Sequence, residues 1–211
     1  MTNQYDLDRI YRTRSPEDIP WSRDDPPRAL VEFLEKGRVS PCKTIDLGCG
    51  TGNYSIYLAG RGFDVTGVDF APTAIKQAMA KAGAAGIPCL FLAADLLGEL
   101  VEITESFDFA YDWHLMHHIY PENRQHYTRN VNRLLAPGGR YLSVCFSEDD
   151  PAFGGTGKYR TTSMGTRLYF SSEKEMRELF EPNFVIEELK TIETEGKTAP
   201  HLSVWAFMIK I

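Results

Sequence analysis

Three glycines, Gly48, Gly50 and Gly52, alternate with Cys49 and Thr51 directly after the apolar run that ends "TIDL". Backbone that bare lets a ligand approach the main chain with no Cβ in the way. A phosphate loop of the GxxxxGK[ST] kind needs a lysine after its last glycine, and none follows Gly52. A dinucleotide loop, GxGxxG, needs a glycine at the sixth position counted from Gly48, and that position is Asn53. Asp46 stands two residues before Gly48, where a dinucleotide site wants an apolar side chain. A carboxylate there does not suit a pyrophosphate; it suits a ligand that carries a cationic amine and a sulfonium.

A second dense stretch is "DWHLMHH", Asp112 to His118. His114 and His117 are three apart, and His118 is adjacent. A metal site would need a cysteine or carboxylate partner set that the segment lacks, so no metal is expected. The histidines are read as packing and capping groups, or as acceptor contacts and general bases, with His114 and His117 the candidates for the latter. Cys49 reads as a small packing residue rather than a nucleophile.

The elements that must position these groups follow from pattern and punctuation. Strands are expected at "KTIDLG", "FDVTGVDF", "PCLFLAADL", "FDFAYDW" and "RYLSVCFS", and two more at "FVIEELKTIE" and "HLSVWAFMIK". Helices are expected at Leu30–Phe33–Leu34 with Gly37 as cap, at Tyr54–Tyr57–Leu58, and from Pro72 through the stripe Ile75, Ala78, Met79, Ala82 to Gly83. Two more follow at Tyr127–Val131–Leu134–Leu135, before an "APGG" turn, and at Met176–Leu179–Phe180 after a Ser172–Glu175 capping box. Strands that alternate with helices make an α/β, doubly wound parallel sheet with helices on both faces. The last two strands have no helix between them, so that end of the sheet is antiparallel. Ligands of such sheets bind at the carboxyl ends of the strands, where the glycine loop, Asp69, Asp95 and Asp112 should gather.

The totals agree with a single globular domain. The chain has 211 residues, 43% hydrophobic, with a net charge of −6 that argues against general affinity for nucleic-acid phosphates. Four cysteines without a CxxC pair look like reduced thiols of a cytoplasmic protein. There is no basic-then-apolar leader pattern and no apolar run long enough to span a membrane.

In its motifs the chain resembles the class I S-adenosylmethionine-dependent methyltransferases over roughly residues 28–211. "DLGCGTG" fits their (D/E)xGxGxG loop, "VTGVDF" their acidic end of strand two, "AADL" and "FDFAYDW" their third and fourth motifs, and "LLAPGGRYL" the approach to strand five. The resemblance implies a seven-stranded sheet with an antiparallel C-terminal hairpin, and S-adenosylmethionine as cofactor, leaving S-adenosylhomocysteine. It implies cofactor contacts from Asp46, Gly48, Cys49, Gly50, Asn53, Asp69, Phe70, Ala94, Asp95, Leu96, Asp112 and Trp113. In physical terms, the helix starting near Asn53 turns its N–H groups toward the ligand carboxylate. Asp69 can accept two ribose hydroxyls, and Asp95 an adenine amino group beside the Leu96 N–H.

Residues 1–26 resemble the N-terminal lid of small-molecule methyltransferases of the thiopurine and tellurite-resistance type, with 27–211 as the methyltransferase domain. The segment carries Tyr5, Tyr11, Ile19 and Trp21, and Tyr11 and Trp21 are expected at the cofactor. Arg12, Arg14 or Arg23 could reach the ligand carboxylate. Residues 148–168 read as a long loop forming an acceptor wall, with Arg160 and Arg167 available to an anionic substrate. The expected activity is methyl transfer to a small nucleophile such as a thiol or metalloid, by a monomer or homodimer without nucleic-acid or membrane partners. A methyltransferase fold that binds the nucleoside without catalysis, and an NAD-dependent oxidoreductase, are the alternatives.

Overall fold

Seven of the apolar runs pair into one sheet in a computed structural model that describes residues 4–211, with side chains described from Leu7 onward. Tyr5, one of the expected lid aromatics, lies outside the described side chains. The strands are β1 (Lys43–Leu47), β2 (Asp64–Asp69), β3 (Leu90–Ala93), β4 (Phe107–Trp113) and β5 (Leu135–Phe146). A small pair follows, β6 (Tyr159–Thr161) and β7 (Arg167–Tyr169), and then β8 (Phe184–Thr194) and β9 (His201–Lys210). The large sheet runs β3-β2-β1-β4-β5-β9-β8. The first five strands are parallel, and β9 is antiparallel to both β5 and β8. The expected antiparallel end is therefore present. The strand order reverses between β1 and β4, which opens a crevice at their carboxyl ends.

The helices are α1 (Gln4–Thr13), α2 (Arg28–Glu35), α3 (Asn53–Ala59), α4 (Pro72–Ala85), α5 (Pro121–Leu134) and α6 (Glu173–Phe180). Leu30 and Phe33 of α2 and Leu58 of α3 pack with Val65, Tyr111 and Phe207 on one face. Tyr127 and Val131 of α5 and Met176 and Phe180 of α6 pack with Ile45 and Met208 on the other. The central strands are buried on both faces, which is why they read as continuous apolar runs rather than alternating ones. The Ser172–Glu175 capping box forms as expected and starts α6.

Three expectations need correction. α4 runs past Gly83 to Ala85 and ends at Gly86, whose φ is +65°. Its buried face is Ala74, Ile75, Ala78 and Ala82, while Met79 is 55% exposed. "APGG" is not a turn between elements but part of β5. The register steps from Phe107↔Leu135 to Phe109↔Arg140, so the extra residues bulge out around Gly138. Residues 148–168 are not structureless, since they contain the β6–β7 pair, too short to show a period.

The N-terminal segment is packed. Leu7, Tyr11 and Ile19 are buried, and Tyr11 and Ile19 lie against Ala71 and Ala74 at the start of α4. Asp8 accepts the Thr73 N–H at 3.0 Å, satisfying one of the orphan donors of that helix end. The turn between β8 and β9 holds the segment from the other side. Lys197 Nζ donates to the carbonyls of Pro16, Glu17 and Ile19 at 3.1, 2.7 and 3.0 Å.

Candidate active site

The glycine loop leaves β1 and is tied to β2. The N–H groups of Gly48 and Cys49 both donate to Val68 O, at 2.7 and 3.0 Å. Gly50 N–H donates to Asp69 Oδ2 at 2.9 Å, and Gly52 N–H to Cys49 O at 2.9 Å. A phosphate cradle works by turning such N–H groups toward the anion. Here four of them are spent inside the fold, which agrees with the exclusion of a phosphate loop.

All three glycines are left-handed, with φ of +77°, +54° and +76°. Their bare faces look in different directions. A Cβ on Gly52 would meet Ala78 and Phe91 at 2.8 Å, so this glycine admits α4 and β3 rather than a ligand. A Cβ on Gly50 would face the Tyr11 hydroxyl at 3.1 Å, and one on Gly48 would press on Leu115 at 2.9 Å. Gly48 lines a cleft together with Phe70, Ala94, Asp95 and Leu96. These five expected residues therefore meet in one place, at the carboxyl ends of β1 to β3. Leu7, Leu97, Leu115, His118, Ile119, Tyr120 and Asn123 complete the wall. Leu97, Ile119, Tyr120 and Asn123 lie outside the expected site, because they follow the segments that carry the motifs.

The other expected residues lie around the cleft or beneath it. Asp69 is 7% exposed, and its Oδ1 also accepts the Ala71 N–H at 2.9 Å. Two of about four acceptor positions on the carboxylate are thus occupied, leaving capacity for hydroxyl donors. Burial pushes it up to about 6, against the pull of those two N–H groups. Asp46 is buried under the loop, where Ser55 donates to it at 2.6 Å, and burial raises it to about 6. Cys49 packs toward Phe91, and burial holds its thiol well above its usual value, as an inert packing residue requires. Asn53 accepts from Lys81 at 2.8 Å and donates to Arg23 O, tying α3 to α4 and to the N-terminal segment.

Asp112 does not gather with the glycine loop. It is fully buried, receives hydrogen bonds from Tyr127 and Tyr141, and is raised to about 7 by burial. Trp113 packs edge-on to Trp205 in the core. His114 has a left-handed φ of +64° and its Nε2 lies 3.2 Å from Ser203 Oγ. Burial drives it down to about 3. His117 is 3% exposed, stacked on Phe146 at 4.3 Å, and burial lowers it well below its ordinary value. Burial thus favours the neutral imidazole at both.

Tyr11 lies against Gly50 and Trp21 beside it. Trp21 Nε1 donates to the Tyr11 hydroxyl at 2.9 Å, and the Trp21 ring meets His118 of the cleft edge-on at 6.4 Å. Two of the three candidate arginines are engaged away from the loop. Arg12 pairs with Asp8 at 3.1 Å, and Arg23 donates to Glu195 O at 2.8 Å. Arg160 is corrected too. Its guanidinium is buried and donates to the carbonyls of Glu148, Asp150, Ala152 and Gly157, so it braces the loop and offers nothing to an anion. Among the described residues no group of three or more His, Cys, Asp or Glu is placed to hold a metal ion.

Comparison with known proteins agrees with this geometry. Residues 45–139 match the methyltransferase domain family. A 2-heptyl-1-hydroxyquinolin-4(1H)-one methyltransferase of Mycobacteroides abscessus is 30% identical over 142 residues, 65% of this chain and 62% of that protein. A demethylmenaquinone methyltransferase of Thermus thermophilus is 34% identical over 61% of this chain and 55% of its own length. The chain thus spans less than two thirds of the length of these relatives. A solved structure described for the conversion of a disulfide bond into a thioacetal group during echinomycin biosynthesis superposes with a TM-score of 0.83. It is 26% identical, and the match covers 98% of this chain and 92% of that one. Sheet order, glycine loop and sequence match agree: the chain has the fold of the class I S-adenosylmethionine-dependent methyltransferases, and its residues 45–139 match the methyltransferase domain.

Proposed function

We propose that the chain binds S-adenosyl-L-methionine and transfers its methyl group to a nucleophilic atom of a small molecule. The observation that carries this reading is the glycine loop. Its N–H groups are spent on Val68, Asp69 and Cys49, and it places Gly48 on the wall of an apolar cleft that ends at Phe70 and Asp95, beside an Asp69 carboxylate with acceptor capacity to spare. The adenosyl part is assigned to that cleft, the ribose to Asp69, and the methionine end to the glycine loop, where the Tyr11 hydroxyl covers Gly50 and the Tyr11–Trp21 pair shifts to admit it. Residues 1–26 then serve as a lid and 27–211 as the methyltransferase domain. When bound, the cofactor supplies a methyl group on a positively charged sulfur, and its carbon–sulfur bond breaks with the pair kept by sulfur. The residues around it align the donor, exclude water and hold the acceptor.

The finer question is the acceptor. A thiol or other small nucleophile fits the neutral, aromatic surroundings of His117, His118 and Phe146. A metalloid oxyanion fits less well, because Arg160 is consumed by carbonyls. The two curated relatives described above are named for a hydroxyquinolone and a demethylmenaquinone, both ring compounds, which supports a flat acceptor. All four cysteines are free, in keeping with a cytoplasmic enzyme, and no described helix is long and apolar enough to cross a membrane. The test is incubation with S-adenosylmethionine and a panel of hydroxyl and thiol acceptors. Formation of S-adenosylhomocysteine that depends on the acceptor is expected. Tight cofactor binding with no turnover on any of them would favour a non-catalytic binding module.

A further inference from the structure

A carboxylate–imidazole pair lies outside the cleft and the glycine loop. His201 opens β9, and Asp150 lies in the loop after β5. Asp150 is 1% exposed and fixed at both oxygens. Oδ1 accepts the Ala152 N–H at 2.6 Å, while Oδ2 accepts the Leu202 N–H at 2.6 Å and faces His201 Nδ1 at 3.2 Å. A carboxylate held this way accepts a hydrogen bond from Nδ1–H and leaves the Nε2 lone pair of the same ring as the proton acceptor. Carboxylate, oriented imidazole and Nε2 lone pair are the parts of a general base with its orienting group.

A chain of ring contacts joins it to the cleft, from His118 on the cleft wall through His117 and Phe146 to His201. The Phe146 ring is shared by His117, His114 and His201, at 4.3, 4.7 and 4.7 Å. Phe153 lies nearly parallel to His201 at 5.9 Å. Ser203, two residues along the same face of β9, meets His114 Nε2. Gly196 lies against the imidazole so closely that a Cβ there would be 2.8 Å from Nε2. The carbonyl beside it, of Glu195, receives Arg23 of the N-terminal segment. His201 therefore sits where that segment, the β8–β9 turn and the loop after β5 converge. Its side chain keeps 17% of its surface accessible, whereas His117 is sealed in. Among the described residues only three non-glycines have positive φ, and two of them, His114 and Phe153, are His201's neighbours. Backbone strain persists where the surrounding structure imposes it, and such places cluster at active sites.

We propose that His201, oriented by Asp150, is the general base that takes the proton of a hydroxyl or N-hydroxyl acceptor as its oxygen is methylated. The proposal rests on the methyl-transfer reading above. As the acceptor oxygen bonds to the methyl carbon, its O–H pair becomes the lone pair left on oxygen and the proton passes to Nε2. The donor's carbon–sulfur pair stays on sulfur. The resulting imidazolium is balanced by the Asp150 carboxylate and returns its proton to water. Asp150 is a positioning residue, and the rings of Phe146 and Phe153 supply a flat wall for a ring-bearing acceptor.

The test uses the full chain and three readouts. Nitrogen-15 NMR of the wild-type protein is expected to show His201 protonated at Nδ1, without any acceptor present. An Nε2-protonated tautomer overturns the proposal. His201→Asn is expected to lower transfer to 2-heptyl-1-hydroxyquinolin-4(1H)-one by about 10²–10⁴-fold, the range for a lost general base. Transfer to thiophenol, which ionises without help, should fall far less than transfer to the hydroxyl probe, and S-adenosylhomocysteine affinity by calorimetry should hold. Asp150→Asn should lose part of the rate on the hydroxyl probe and abolish the Nδ1–H preference. A His201→Asn protein that methylates the hydroxyl probe at the wild-type rate also overturns the proposal. Failure of the wild type to bind S-adenosylhomocysteine would instead refute the cofactor reading, and the tautomer would still report on the pair.

Discussion

Replacing Gly52 by alanine separates two reasons for a glycine in the loop. The added Cβ would meet Ala78 Cβ and Phe91 Cε1, each at 2.8 Å, and neither is the loose end of a long side chain. Gly52 also has φ +76°, and a left-handed non-glycine residue costs about 1–2 kcal/mol. Overpacking a filled site adds about 1–3 kcal/mol. The expected loss is about 2–5 kcal/mol, a large part of the roughly 5–15 kcal/mol that holds a domain together. At this size each kcal/mol moves Tm by about 2–4 °C, so a fall of about 4–20 °C is expected by scanning calorimetry. S-adenosylhomocysteine titrated into the folded protein well below that temperature should bind as to the wild type. Gly50→Ala should behave oppositely. Its Cβ would meet only the Tyr11 hydroxyl, at 3.1 Å, so stability changes less but the Tyr11–Trp21 cover shifts and affinity falls. A Gly52→Ala protein that melts like the wild type yet loses ligand affinity would refute the reasoning.

Burial raises Asp112 to about 7, above its unfolded value of about 3.9, so it favours folding at low pH, and that contribution is lost as pH rises through about 7. Asp112→Asn should therefore flatten the decline of Tm between about pH 4 and 7 relative to wild type, and an identical pH profile would refute the assignment. Lys197→Ala removes the cation that holds three lid carbonyls, so tryptic cleavage at Arg12 and Arg14 should quicken severalfold, less so with S-adenosylhomocysteine present. Equal cleavage in both proteins would show that the turn does not hold the lid. Arg160→Met strands four carbonyls and should loosen the loop after β5, sparing cofactor affinity while slowing methyl transfer at least tenfold; full activity would make that loop filler.

The part of the site built from local backbone was legible in the sequence. Alternating glycines after an apolar run, and carboxylates closing the next two strands, mark a loop and a strand edge, and they locate Gly48, Phe70, Ala94, Asp95 and Leu96 in one cleft. What side chains do across the fold was less legible. Asp112 looks like a site residue because it stands among histidines, yet strand alternation turns it toward Tyr127 and Tyr141. Arg160 looks available, yet the loop wraps its own carbonyls around it. The Asp150–His201 pairing joins residues 51 apart and exists only because β9 inserts beside β5. Antiparallel pairing was predictable there, but the register that sets Ser203 opposite Phe146 was not.

The central claim is that the glycine loop and the cleft beside it hold S-adenosylmethionine. Its most direct test is calorimetric titration of S-adenosylhomocysteine into the wild type and into Asp69→Ala. The account predicts saturable binding at one site per chain. For each charged hydrogen bond lost to Asp69, affinity should weaken by about 1.5–3 kcal/mol, roughly ten- to 150-fold, in a variant that remains folded. No heat of binding in the wild type, or a folded Asp69→Ala protein that binds as tightly, would contradict it.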